Sequence, residues 1–251
     1  MTIITGRPSS GKSTLINQIV AHTISRNYKV FIYSGELKKE YLMDWFIRTV
    51  SNEDHITKSI NNLGNVYYYV VPTGDELIRK WTDEKLCMYG DKSPANERNL
   101  SNVIEHMAMV KGVKLFILDN LMTIDLSKDN NKYENQANMA KRLKHLAKQY
   151  TLVIILEAHP NKESEKENGH SMYGVLGSSE IVNLCDFQFK ILREIDKNTN
   201  EEVSRILILK NRITDRGYNH INNSEQIVYK VKKEDYLQHF QEMEYEEKIF
   251  N

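Results

Sequence analysis

Cysteine is scarce in this sequence. The two present, Cys87 and Cys185, lie far apart and outside any CxxC or His-containing spacing. That excludes a disulfide framework and a zinc site, and it fits a reducing compartment. Long apolar runs are missing as well. Nothing approaches the roughly 18 residues that cross a bilayer, and the start of the chain lacks the ordering of a secretory signal, so a cytoplasmic protein without membrane contact is expected. An excess of charge of one sign is also absent: 34 Lys plus Arg balance 34 Asp plus Glu. The molecule as a whole therefore does not attract nucleic acid, and such binding needs a local patch. No internal repeat is present. What remains is 251 residues, 40% hydrophobic and 27% charged, too apolar for a disordered chain and enough for one substantial core.

Short segments rich in Val, Ile, Leu and Tyr at residues 2–5, 29–34, 66–71, 113–119 and 151–156 read as buried parallel strands. Between them, residues 13–26, 38–51, 100–110 and 133–149 carry helical spacing; in the last, Ala137, Ala140, Leu143 and Ala147 share a face. Alternating strands and helices predict an α/β fold with a central, mostly parallel sheet flanked by helices. Residues 161–171 are polar and aperiodic and read as a loop. Residues 185–192, 203–210 and 226–231 read as later strands joined by hairpins, and the acidic stretch 241–248 as a solvated helix or tail.

Residues Gly6, Arg7, Pro8, Ser9, Ser10, Gly11, Lys12 and Ser13 satisfy GxxxxGK[ST] between a predicted strand and a predicted helix, the context that identifies a phosphate-binding loop. The glycines let the backbone curl so that its N–H groups face phosphate oxygens, and the helix beginning near Lys12 adds its positive end. Lys12 is expected at the β- and γ-phosphates of ATP or another NTP, and Ser13, next to Thr14, on Mg²⁺. Asp119 closes the apolar strand Leu115-Phe116-Ile117-Leu118 and is the Walker B candidate for the metal shell; an Asp there can also cap a helix. Glu36 follows the strand 29–34 on the carboxyl edge, where a carboxylate can activate water, although a Glu opening a helix equally serves its dipole. His159 follows the strand 151–156 on the same edge, where it senses a γ-phosphate or is simply structural.

The order of these pieces is the specific signal: the phosphate loop, Ser34-Gly35-Glu36-Leu37, Asp119, Glu157-Ala158-His159-Pro160-Asn161-Lys162, Gly177-Ser178, and Leu209-Lys210-Asn211-Arg212. The series resembles the RecA-like motor domain of DnaB-like replicative helicases. Within them it is most similar to the branch of mitochondrial Twinkle and the phage primase-helicases, where the third motif carries His. The resemblance runs from Met1 to about Val231, within one domain over 1–251 whose last residues, 232–251, form a tail.

The resemblance implies an NTP hydrolase in which Glu36 is the catalytic base and His159 the γ-phosphate sensor. Arg212 is then an arginine finger, and Lys210 its companion, reaching the nucleotide of a neighbouring subunit. Arg193 and Tyr229 would stack on the nucleotide base, and Lys162 and Lys166 would contact DNA phosphates, although Glu163, Glu165 and Glu167 offset their charge. Implied partners are single-stranded DNA, further copies of the chain in a ring, a hexamer in the family's manner, and a primase, in a bacterial or phage-infected cell. Only five residues precede Gly6, so no linker helix of the kind that ties such rings together is expected. A nucleotide-switched regulatory or assembly factor therefore stands as the alternative to an unwinding motor.

Overall fold

The computed structural model describes residues 1–90, 93, 95–126, 132–160, 179–195, 200, 202–213, 225–233 and 240–249, with backbone only for the last two stretches. In chain order the elements are β1 (Thr2–Gly6), α1 (Lys12–Ser25), β2 (Lys29–Ser34), α2 (Lys39–Val50), β3 (Ile56–Ile60), β4 (Val66–Val70), α3 (Pro72–Thr82), β5 (Leu86–Met88), α4 (Glu97–Met109), β6 (Val113–Asp119), α5 (Lys132–Gln149), β7 (Val153–Ala158), α6 (Ser179–Leu184), β8 (Phe187–Ile195), β9 (Glu202–Asn211), β10 (Glu225–Lys233) and β11 (Phe240–Ile249).

Among the described residues, nine strands form one sheet in the order β11-β10-β9-β8-β1-β7-β6-β2-β5. From β5 to β8 neighbouring strands are parallel, and β9, β10 and β11 follow antiparallel, as the sequence predicts for the two halves. The parallel strands are buried on both faces because successive residues point to opposite sides. Ile3, Phe31, Tyr33, Phe116, Leu118, Ile154 and Leu156 face one core, packed with Leu100 and Ile104 of α4 and Met139, Ala140 and Leu143 of α5. Ile4, Val30, Ile32, Leu115, Ile117 and Ile155 face the other, against Ile16, Val20 and Ile24 of α1 and Phe46 of α2. Each such side chain removed from water contributes about 1.5–3 kcal/mol before entropy is subtracted. Local signals set the helix starts: Asn96 accepts from Asn99 N (2.9 Å) at the head of α4, and Pro72 opens α3.

Two elements differ from expectation. The segment 66–71 is not a buried parallel strand: β4 pairs antiparallel with β3 in a separate two-stranded sheet, and Tyr67, Tyr68 and Tyr69 are exposed. Its turn, with Asn61 Oδ1 accepting from Leu63 N and Asn65 N and Gly64 at φ 79°, is hairpin chemistry, and the tyrosine hydroxyls tolerate water. The stretch 241–248 is neither helix nor tail. It lies within β11, in a register that sets Glu244 opposite Lys230 and Lys248 opposite Gln226. Alternation in Met243-Glu244-Tyr245-Glu246 is a strand period, outweighed in a reading by charge alone. Cys185 precedes rather than begins β8, and β3, α3, β5 and α6 had no counterpart in the sequence reading.

Candidate functional site

The strand β1 ends at Gly6, where the backbone has no room for a side chain: a Cβ there would lie 2.6 Å from both Ile191 O and Ser10 Oγ. The chain then turns through exposed Arg7, Pro8 and Ser9, with Ser9 at φ 63° and Gly11 at φ 99°. Ser10 is buried and its N–H donates to Arg7 O (3.2 Å). Gly11 provides no side-chain cap to α1, and the first turn, with Lys12, Ser13 and Thr14, carries no acidic residue. The helix thus presents uncapped N–H groups and its positive end, the arrangement that receives an anion. Lys12 is buried beside this loop; its Nζ donates to Gly6 O (3.0 Å) and Arg7 O (3.2 Å) and lies 3.5 Å from Glu157 Oε1.

Strand register assembles the acidic side of the site. Ser34 pairs with Asp119, Asp119 with Glu157, and Glu157 with Ile4, two residues before Gly6. Ser34 Oγ donates to Asp119 Oδ2 (2.9 Å), while Asp119 Oδ1 is buried with no hydrogen-bond partner. Burial pushes the Asp119 carboxyl above its ordinary range, and the nearby Glu36 charge pushes the same way. A buried, orphaned carboxylate oxygen fits a hard divalent cation, with Ser13 in the first turn of α1 as the second protein oxygen. Glu157 is pushed up to about 7, first by burial and then by the Asp119 charge, against the pull of Lys12.

Glu36 sits just past β2 in a cradle of its own. Its Oε1 accepts from Asn120 Nδ2 (2.5 Å) and lies 3.0 Å from His159 Nε2. Asn120 is buried and held in turn by Met122 N, which donates to its Oδ1 (2.8 Å). Ser34 Oγ accepts from Glu36 N (3.3 Å) and Leu37 N (3.1 Å), and Gly35 N donates to Asp119 O (2.7 Å). Glycine is required at 35, since a Cβ would lie 2.0 Å from Thr123 Oγ1. Among the described residues both side-chain contacts to Glu36 fall on Oε1, and Oε2 has none.

The two cations Lys210 and Arg212 lie elsewhere. β9 runs antiparallel to β8, so Asn211 pairs with Phe187, which pairs with Thr2 at the start of β1. They occupy the amino edge: measured along the strands, Lys210 lies level with Ile3, three steps of about 3.3 Å or about 10 Å before Gly6, and Arg212 lies further still, both two strands across the sheet from β1. There Lys210 Nζ donates to Val182 O (2.7 Å) and Arg212 to Asn183 O (2.5 Å), both carbonyls at the end of α6. Arg193 is on the carboxyl edge, donating to Ser9 O (3.1 Å) and paired with Glu202. Tyr229 is level with the phosphate loop, through Ile206 and Ile191 to Gly6, three strands across the sheet from β1. Its side chain, and Lys162, Lys166, Gly177 and Ser178 entirely, lie outside the described residues.

The family model for the DnaB-like helicase C terminal domain matches residues 1–230. The chain belongs to that family. No curated protein matches it in sequence. Among solved structures it is similar to an ATPase domain that superposes at TM-score 0.75 and 12% identity, covering 97% of this chain and 84% of that one. A DnaB-like replicative helicase, described with its interactions with primase, superposes at TM-score 0.74 and 13% identity, and the chain spans 57% of its length. The KaiC-like protein PH0186 of Pyrococcus horikoshii OT3 follows at TM-score 0.63 and 12% identity, covering 97% and 88%. At such identities the likeness establishes the RecA-like fold. As a DnaB-like helicase domain the chain has a family-level expectation of NTP hydrolysis. Among its described residues no helix is long and apolar enough to cross a membrane.

Two polar residues of this helicase-family site had no role in the sequence reading. Asn120, directly after Asp119, grips Glu36, and Glu157 sits against Lys12. The second had a visible signal: a carboxylate inside the apolar strand Val153-Ile154-Ile155-Leu156 is unexpected unless it is paired. Asn120 had none, because an Asn after a strand reads as an ordinary turn residue.

Proposed function

We propose that residues 1–251 act as one motor domain of a replicative DNA helicase, coupling hydrolysis of ATP or dTTP to movement along single-stranded DNA in a ring of like subunits. The observation that carries this reading is the separation of the two halves of the chemistry. Lys12, Glu36, Asp119 and His159 gather on the carboxyl edge of the sheet, while Lys210 and Arg212 lie on the opposite edge of the same subunit. They are too far away to serve their own nucleotide, so a head-to-tail neighbour must bring them.

In this mechanism the loop amides and Lys12 bind the phosphates, and Ser13 and Asp119 hold Mg²⁺, which when bound spreads the charge of the transferring phosphoryl group. Glu36, steadied by Asn120 and His159, orients the attacking water and accepts its proton at Oε2. Arg212 of one subunit, with Lys210 beside it, stabilises charge at the site of the next. Arg193 and Tyr229 flank the base, and Lys162 and Lys166 contact the DNA backbone. The His-bearing third motif favours the Twinkle and phage branch, and the likeness to a helicase described with primase makes a primase a reasonable partner.

The test is NTPase rate against protein concentration, with and without single-stranded DNA, together with mixing of two inactive variants. Lys12→Ala and Arg212→Ala subunits should regain activity when combined, because some interfaces then hold an intact lysine and an intact finger. A rate indifferent to concentration and DNA, surviving Arg212→Ala, would sink the shared site and leave the nucleotide-switched factor as the better reading.

A further inference from the structure

Lysine has three protons to donate, and every one on Lys12 already has a protein acceptor within reach. Gly6 O and Arg7 O take two at 3.0 and 3.2 Å, and the Glu157 carboxylate lies 3.5 Å away. The ammonium group sits between its own loop and the end of β7. A phosphate that engages Lys12 shares it with these acceptors.

Of the three acceptors, only Glu157 is ionisable, and its backbone position is fixed by the sheet. It is held by the pairing of β7 with β1 on one side, at Ile4, and with β6 on the other, at Asp119. Its side chain is 7% exposed and that of Lys12 5%, so water screens the pair little. The flanking residues Ile154, Ile155 and Leu156 are all buried and apolar, and an aliphatic residue at 157 would continue that strand without burying a charge. A buried ion pair is commonly no more stabilising than an apolar substitute. Stability is thus a weak reason for a carboxylate here. Glu157 also lies near two other carboxylates, Asp119 and Glu36, so the charge beside the lysine of the loop belongs to an acidic cluster.

Resting on the reading of the loop as an NTP site, we infer that Glu157 is a positioning residue that competes with the nucleotide's phosphates for Lys12. It draws the lysine toward β7 and weakens the grip on both triphosphate and diphosphate. Such a competitor suits a site that must release its product in every cycle. It also makes binding depend on divalent cation, whose charge offsets the acidic cluster.

The experiment measures equilibrium binding of a non-hydrolysable ATP analogue, ADP and adenosine to the full chain, with Mg²⁺ and with EDTA. It compares the wild type with Glu157→Gln and with Glu157→Leu, two neutral replacements of similar volume, each checked by circular dichroism and melting temperature. Both variants should bind the phosphate-bearing ligands roughly tenfold more tightly, from one buried charge removed near another. The gain should be greatest in EDTA and absent for adenosine, and the KM for ATP should fall without a rise in kcat. A folded variant that binds the analogue no more tightly than wild type overturns the inference, as does an equal gain for adenosine. Lys12→Ala, expected to abolish binding, separates the two levels of argument. If the wild type itself binds no triphosphate, the site assignment and this inference fall together; if it binds and the neutral variants gain nothing, only the role of Glu157 falls.

Discussion

The two edges of the sheet differ in kind. On the carboxyl edge, three strand ends and the phosphate loop bring Ser34, Asp119, Glu157 and Lys12 together, with Glu36, Asn120 and His159 beside them. On the amino edge, Lys210 and Arg212 hold the carbonyl ends of a six-residue helix and touch no group of that cluster. The first edge gathers three carboxylates around the loop; on the second, Arg212 lies 3.9 Å from Asp186, which also takes the N-terminal ammonium group. Parallel strands explain the division, because all their carboxyl ends lie together, whereas the antiparallel return of β9 delivers its last residues to the far side.

The sharpest way to break this comparison is Arg212→Ala. With a neighbour's finger at work, DNA-stimulated hydrolysis should fall by about 10³ or more while nucleotide affinity of the isolated subunit stays level; a fall below about tenfold contradicts trans catalysis. On the carboxyl edge, Gly35→Ala tests the close approach to Thr123. Overpacking typically costs about 1–3 kcal/mol, and we expect a loss of that size in denaturant melts together with reduced hydrolysis, since Ser34 and Glu36 flank the residue. An unchanged melt would show that the approach is not needed.

The titration of the acidic cluster supplies a third test. Glu157 has a folded pKa of about 7 against an ordinary 4.5, so the native state binds more protons than the unfolded state between those values. Its contribution to stability is therefore fullest below about pH 4.5 and is lost as pH rises through 7, a change of roughly 3 kcal/mol, with Asp119 shifted in the same direction. Urea melts without metal or nucleotide, from pH 5 to 8, should show a decline relative to Glu157→Gln; parallel curves for the two proteins would refute it. The smallest effect is expected for Asn120→Ala. With Glu36 still held by His159 but one contact short, kcat should drop about 10- to 100-fold with KM nearly unchanged. A matched loss in KM, or a lower melting temperature alone, would make Asn120 structural only.

Much of the parallel half was legible beforehand. β2 and β6 occupy their expected residues, and the buried face of α5 follows the spacing of Ala137, Ala140, Leu143 and Ala147. Buried strands and amphipathic helices carry their periodicity in the residues themselves. The hairpin of β3 and β4 was misread because Val66-Tyr67-Tyr68-Tyr69-Val70 has the composition of a core strand, while its exposure depends on what packs against it. β11 was missed because its run of acidic residues outweighed its strand alternation, even though its partner β10 is the preceding strand.

By itself the sequence determined the phosphate loop, the apolar strand ending in Asp119, and the order of motifs that marks the family, since each is a short-range pattern with its own chemistry. Tertiary structure alone decided that Asn120 grips Glu36, that Glu157 faces Lys12, and that Lys210 and Arg212 stand on the opposite edge. Those relations depend on strand order and register, which bring together residues some 80 to 150 positions apart, and hydrophobic periodicity records which way a side chain faces but not which strand will lie beside it.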